Sequence, residues 1–385
     1  MRKLWRLLPL VLLAAIAAAL IIVPGQVERR ANTLTRKPPY ECSARARELR
    51  QKLDIVDLHA DSLLWSRDLN TRATRGHVDI PRLIEGHVAL QAFTVVTKTP
   101  RHLNFQSNTP DSDNILLLSL VELWPPRTWT SLNQRALYQA SRLRDFAARS
   151  QGRLTLIQTR ADLESYLGRR AAGPAITAGF LGIEGAQALD GKLANIDVLY
   201  DAGFRMMSPS HFYDTEFGGS SAGVQKTGLT PLGREMIRRM EAKRMLVDLA
   251  HAAPRTIDDV LAAATRPVLV SHTGVKGTCD TIRNLGDEHL RGIARTGGII
   301  GIAYFDFAVC GQQASAIARA IRHTADVAGI DHVALGSDFD GAIEAPFDTT
   351  GLGLLIDALL AAGFHDDEIA RIMGGNAIRF LLANL

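Results

Sequence analysis

Cysteine is scarce in this chain, with three in 385 residues. That is too few for a disulfide framework to stand in for a hydrophobic core. An excess of one charge is missing from most of the chain. The net charge is +4, but residues 1–50 hold ten Lys/Arg against three Asp/Glu, so the other 335 carry 34 basic and 37 acidic residues, a net of −3. A mildly acidic body lacks the electrostatic footprint of a nucleic-acid binder, and no nucleic-acid partner is expected. Also missing are a P-loop, an H-E-x-x-H helix, a dinucleotide glycine pattern after the first strand, and any solenoid repeat. What is abundant is apolar surface. At 46% hydrophobic and 22% charged the chain is not disordered and has ample material for a core.

Arg2, Lys3 and Arg6 precede a 17-residue run, Leu7 to Val23, without a charge or a glycine, stopped by Pro24-Gly25. This is the layout of a secretory signal or a short membrane span. Ala17 and Ala19 offer a small-residue cleavage pattern, but apolar residues continue past it, which favours a retained anchor. Cations at the start keep that end inside. The expected arrangement is residues 1–25 as anchor or signal, 26–45 as an exposed tether, and 46–385 as the folded body. The corresponding location is a bacterial inner membrane with a periplasmic body, or export after cleavage. Export permits disulfides. Cys279 and Cys310 each follow a predicted strand and could meet, whereas three buried free cysteines fit the sequence equally well.

From residue 50 a short apolar run, a turn and a helical stretch recur. Strands are predicted at Ile55–Ala60, Ala89–Val96, Ala175–Ile183, Arg205–Pro209, Met245–Leu249, Val268–Ser271, Ile299–Tyr304 and Val333–Gly336. Most are continuously apolar, as strands covered on both faces should be. Helices are predicted at Leu193–Ala202, Pro231–Lys243, Pro254–Ala264, Asp287–Thr296 and Ala314–Val327. Eight such units predict an α/β fold, a (β/α)8 TIM-like barrel. The interval Lys98–Gly173 is too long for one crossover and reads as a helical insertion between strands two and three, with helices at Asp111–Leu123 and Leu132–Ser150.

Barrel sites form where strands end at their C-terminal tips. These tips are polar: His59 and Asp61 on strand one, Glu184 on three, His211 on four, His251 on five, His272 on six and Asp338 on eight. Residues i and i+2 of a strand point the same way, so His59 and Asp61 aim together into the mouth. Imidazole and carboxylate form a donor set that suits zinc. Three His and two carboxylates exceed the needs of one ion and fit two Zn2+ sharing Glu184 and a bridging hydroxide. Taken singly, each His could be a hydrogen-bonded loop residue and each Asp a helix cap. Their coincidence on one rim favours the metal reading. Gly219-Ser220-Ser221-Ala222-Gly223 matches the G-x-S-x-G elbow but sits in a Gly/Ser-rich stretch, so it reads as a flexible loop over the site.

With these residues in place, the sequence resembles the membrane dipeptidase (renal dipeptidase) family of dizinc peptidases over about residues 53–385. The motifs are Asp57-Leu58-His59-Ala60-Asp61, Gly182-Ile183-Glu184-Gly185, Ser210-His211, Gly228-Leu229-Thr230-Pro231-Leu232-Gly233 and Val247-Asp248-Leu249-Ala250-His251. They continue with Ser271-His272 leading to Arg283-Asn284, then Gly336-Ser337-Asp338-Phe339-Asp340-Gly341 and Gly375-Asn376. The resemblance implies a dipeptide substrate and two zinc ions, one held by His59, Asp61 and Glu184, the other by Glu184, His251 and His272. It implies that His211 contacts substrate, Arg283 pairs with a dipeptide carboxylate and Asp338 handles the proton. A Cys279–Cys310 disulfide and a possible homodimer are further implications. Two departures affect substrate preference: Phe307 stands where mammalian members have a substrate-binding tyrosine, and Gly185-Ala186-Gln187 replaces the common Gly-Gly-His. The competing expectation is a metal-dependent amidohydrolase or lactonase acting on another small amide or ester.

Overall fold

The computed structural model describes residues 20, 22–173 and 175–385. Eight parallel strands form the frame: Ile55–Ala60, Val88–Val96, Thr177–Glu184, Phe204–Met207, Leu246–Val247, Leu269–Thr273, Ile299–Ile302 and Val333–Leu335. Their spatial order is fifth, fourth, third, second, first, eighth, seventh, sixth. A bridge from Asp248 to Leu269 joins the two ends of that path. The sheet therefore curls round in sequence order, as a TIM-like barrel does. Every residue of the first three strands is buried, which accounts for their largely apolar character and leaves Asp57, His59, Gln91 and Glu184 as buried polar groups.

All eight predicted strands are present, the first with the predicted bounds and the others with ends shifted by one or two residues. The fifth has only two ladder residues, Leu246–Val247, followed by the Asp248 bridge, where the Asp248 Oδ1 accepts from Ala250 N at 3.0 Å and Ser271 N at 2.8 Å. The five predicted connecting helices are Asn195–Asp201, Pro231–Ala242, Pro254–Ala263, Asp287–Arg295 and Ala314–Ala328. Thr230 caps the second of these through Gly233 N, with Pro231 in its first turn.

The insertion holds the two expected helices, at Asn114–Val121 and Leu132–Arg149, but it is not wholly helical. Leu154–Leu156 adds a strand beside Thr177–Gly179, and Arg160–Ala171 forms a further helix opened by a Thr159/Asp162 capping box. Three residues are too few to show a strand period.

A second correction concerns residues 26–45. Residues 22–31 are helical, and Thr33–Leu34 pairs in parallel with Glu344–Ala345. Glu28 is buried, with Arg67 and Arg75 each at 2.5 Å, and Arg67 also pairs with buried Asp340. A carboxylate whose cationic partners lie 39 and 47 residues away gives no local sign that its segment docks. Exposed Arg29 and Arg30 on the same helix suggested a tether. Burial alone would raise the Asp340 carboxyl, but Arg67 and His77 outweigh it and hold the group below the usual carboxylate value. Replacing Arg67 by Met leaves buried Asp340 without its guanidinium and Glu28 with Arg75 alone, and is expected to cost about 3–5 kcal/mol. A lower urea midpoint at unchanged slope is the readout; an unchanged midpoint would remove the network from the stability account.

The run Leu7–Val23 lies almost wholly outside the described residues. Among the described residues, no helix is long and apolar enough to cross a membrane.

Candidate metal centre

The strand tips bring every predicted ligand together. Glu184 stands at the centre. Its Oε1 lies 2.9 Å from His251 Nε2, 3.5 Å from His59 Nε2 and 3.5 Å from His272 Nε2, while Oε2 lies 3.0 Å from His211 Nε2. His59 Nε2 is 3.6 Å from Asp61 Oδ1 and 3.9 Å from Asp338 Oδ1. The donor atoms form three overlapping clusters: His59 with Glu184 and His272, Glu184 with His211 and His251, and His59 with Asp61 and Asp338. His211 and Asp338, expected to act on substrate and proton, thus lie within ligand distance of the same centre.

The donor chemistry fits divalent cations. His59 Nε2 and Glu184 Oε1 are buried with no hydrogen-bond partner, an arrangement that costs free energy unless something else engages them. His251 Nε2 and His272 Nε2 face each other at 3.0 Å, two nitrogens aimed at one point. Burial first, then the neighbouring cationic groups, hold His211, His251 and His272 well below the ordinary imidazole value. They are therefore neutral, the form that ligates. His59 departs in the other direction: burial opposes its charge, but Glu184, Asp61 and Asp338 prevail and raise it to about 10. Burial, followed by the Asp61 charge, pushes Glu184 well above its ordinary value. Asp338 rises to about 7, chiefly by burial. Packed carboxylates of this kind ionise together only when a cation is among them.

A supporting layer fixes the ligands. Ser271 Oγ lies 2.9 Å from His59 Nδ1 and 3.1 Å from His272 Nδ1, so one hydroxyl turns both rings with Nε2 inward. Thr94 Oγ1 donates to Asp61 Oδ1 at 2.6 Å. Asp57 accepts from Ser337 N at 2.8 Å and Ser337 Oγ at 2.6 Å, tying the eighth strand's tip to the first. His251 and Asp338 both adopt left-handed backbone, at φ 62° and 63°, a conformation costly for non-glycine residues and concentrated at functional sites. Sequence reasoning missed these supports. Asp57 alone carried a signal, being two residues from His59 on the same strand face.

The remaining expectations meet mixed outcomes. Arg283 is buried, and its Nη2 donates to the His272 carbonyl at 2.9 Å, while Nε has no partner. Cys279 and Cys310 are bonded to each other, and Cys42 is free. Gln187 Nε2 donates to the Glu184 carbonyl at 2.9 Å. The Gly219–Gly223 stretch is packed behind the site instead of hanging over it. Ser220 Oγ donates to the His211 carbonyl, and Ser221 N donates to the His251 carbonyl at 2.8 Å. Neither serine hydroxyl has an imidazole partner that could activate it. Apolar Ala222 and close-packed Gly219 fold this loop inward, which composition alone did not reveal.

A curled parallel sheet carrying clustered imidazoles and carboxylates at its strand tips defines a metal-dependent hydrolase of the barrel type. The chain belongs to the membrane dipeptidase family (peptidase family M19), whose family model matches residues 43–383. It is 33% identical over 259 residues to an uncharacterized protein of the pqqA 5′ region of Klebsiella pneumoniae, covering 63% of this chain and 93% of that one. An uncharacterized dipeptidase of Schizosaccharomyces pombe is 25% identical, over 84% of this chain and 79% of that one. Among solved structures, a metallopeptidase from Rhodobacter sphaeroides, liganded with a phosphinate mimic of the dipeptide L-Ala-D-Ala, superposes with a TM-score of 0.71. It is 24% identical, with 86% of this chain and 99% of that one covered. The probable dipeptidase PvdM from Pseudomonas aeruginosa gives a TM-score of 0.72 at 17% identity, covering 89% and 98%. At these identities the superpositions speak to fold.

Proposed function

We propose that this protein hydrolyses dipeptides with two zinc ions. His59, Asp61 and Glu184 would hold one ion, and Glu184, His251 and His272 the other. The observation that carries this reading is Glu184 Oε1, buried, unpartnered and within 3.5 Å of three imidazole nitrogens. A bound ion pair supplies Lewis acidity and a nucleophile at neutral pH. His211, neutral at the rim, donates a hydrogen bond to the oxygen on which charge develops when the peptide carbonyl is attacked. Asp338 takes the proton from the attacking water and passes it to the leaving amine, a task served by an acid that titrates near neutrality. Arg283, with its free Nε, pairs with the dipeptide carboxylate. The same tip donors with a different mouth would suit a lactone, so the test must distinguish the two.

Metal content and hydrolysis of a dipeptide and a lactone panel, with and without chelator, provide it. The expected result is about two zinc ions per chain and dipeptide turnover that chelation abolishes and zinc restores. Chelator-resistant activity, or lactone turnover without dipeptide turnover, would overturn the proposal. The cationic start, the apolar run Leu7–Val23 and the Cys279–Cys310 bond support export to a periplasmic location. Fractionation of cells expressing the full chain tests that placement, and cytoplasmic recovery would refute it.

A further inference from the structure

The centre opens into a cavity of about 560 Å³, a size that accommodates ligands with large side chains. Asp61, Glu184, His211, His251 and Asp338 form its floor. Its walls are of a different character. Beyond that floor, the polar side-chain groups among the described lining residues are Thr99, Asn114 and the Trp65 indole N–H; Asn114 Nδ2 is already engaged with the Pro100 carbonyl at 2.9 Å and Trp65 Nε1 with the Asp340 carbonyl at 2.7 Å.

Two helices outside the barrel build much of this wall. Val23, Val27 and Ala31 come from the N-terminal helix, at the i, i+4, i+8 spacing of one helical stripe. Glu28, bound to Arg67 and Arg75, clips that helix in place. Ile115, Leu117 and Leu118 come from the insertion helix Asn114–Val121. Ala31 and Leu118 both pack on the cluster around Trp65 and Val96, so the two helices meet the barrel at the same point. Phe105 continues the wall and stacks on Phe307 with ring centroids 4.1 Å apart. A benzene ring there leaves no phenol to hydrogen-bond a polar substrate group.

We propose that residues 22–31 and 114–121 form a specificity wall selecting dipeptides with a large apolar side chain and rejecting charged ones. The inference rests on the dipeptidase reading and deepens it. An apolar side chain leaving water gains free energy against this wall. A Lys or Asp side chain entering it would lose hydration and meet no partner on the wall. The N-terminal helix is on this account part of the binding site, not merely a connection to it.

The test is a set of dipeptides with Leu, Phe, Ala, Asp or Lys paired with Ala in either order, assayed on the zinc-loaded full chain. Leu or Phe substrates are expected to exceed their Asp and Lys counterparts by about tenfold or more in kcat/KM, the discrimination a pocket gains from a few methylenes. Two variants locate the wall: Val27→Asp and Leu117→Asp, at positions 42% and 43% exposed where folding tolerates a charge. Each should lower the Leu-to-Ala preference several-fold, with zinc content and melting temperature retained. Dipeptide turnover without apolar preference, or with a preference unmoved in both folded variants, overturns the wall while leaving the dipeptidase reading intact. If no dipeptide is turned over by the zinc-loaded protein, both readings fall together.

Discussion

Glu184→Gln is expected to abolish dipeptide hydrolysis and metal retention together while leaving the metal-free fold at least as stable. Among the described residues, Glu184 is the only group whose two oxygens reach four imidazole nitrogens, at 2.9–3.5 Å. A glutamine keeps the shape but loses the charge, and its amide turns an N–H toward His Nε2 or toward a cation. Removing a mere supporting partner from a metal site costs about 10–100-fold, so loss of the shared ligand should exceed about 100-fold in kcat/KM. Metal per chain should fall correspondingly. Stability should move the other way. Burial and Asp61 raise the Glu184 carboxyl far above its ordinary value, so its ionised form is penalised in the metal-free fold. Because the folded value lies above the unfolded one, this group's contribution is complete below the ordinary carboxylate range. It is lost as pH rises through the shifted value. Glutamine is neutral throughout and escapes the penalty. A variant that retains both ions, or one that unfolds, would remove Glu184 from the centre of the site.

Asp338→Asn separates proton transfer from metal binding. The position has φ 63°, and asparagine is among the few residues that adopt left-handed backbone at little cost. The substitution therefore leaves the loop unstrained, where alanine would confuse chemistry with backbone strain. The five side chains proposed above as ligands remain, so zinc content should be unchanged. Turnover should fall by about 100- to 10,000-fold, the usual contribution of a positioned acid–base group. KM should stay near its starting value, because a group acting in the transition state alone lowers kcat. Retained kcat would refute the proton role. Loss of an ion would make Asp338 a ligand instead, which its place beside His59 and Asp61 would then explain.

Much of the site was legible because each barrel strand is local and its tip is fixed by where its apolar run stops. His59 and Asp61 could be read as a pair from alternation alone. Ser271 could not be assigned its task, since turning two imidazoles at once requires the first and sixth strands to approach, a separation of 212 residues. The Gly219–Gly223 loop was misplaced for a related reason. Small residues permit both a mobile lid and close packing, and the choice lies with Asp214, Thr256 and the two histidine carbonyls around it.

The opening scarcity of cysteine was decided in space as well. Cys279 and Cys310 follow different strands, and a sequence separation of 31 fixed neither bonding nor freedom. Sequence alone determined the eight barrel strands, the family motifs and which side chains stand on the rim, since apolar runs, turns and alternation act over a few residues. Tertiary structure alone decided that Glu28 docks the N-terminal helix, that the insertion helix faces the mouth, and that the cavity wall is apolar. Those outcomes depend on burial and ion pairing between segments far apart in the chain, whose free energy exists only once the chain has folded.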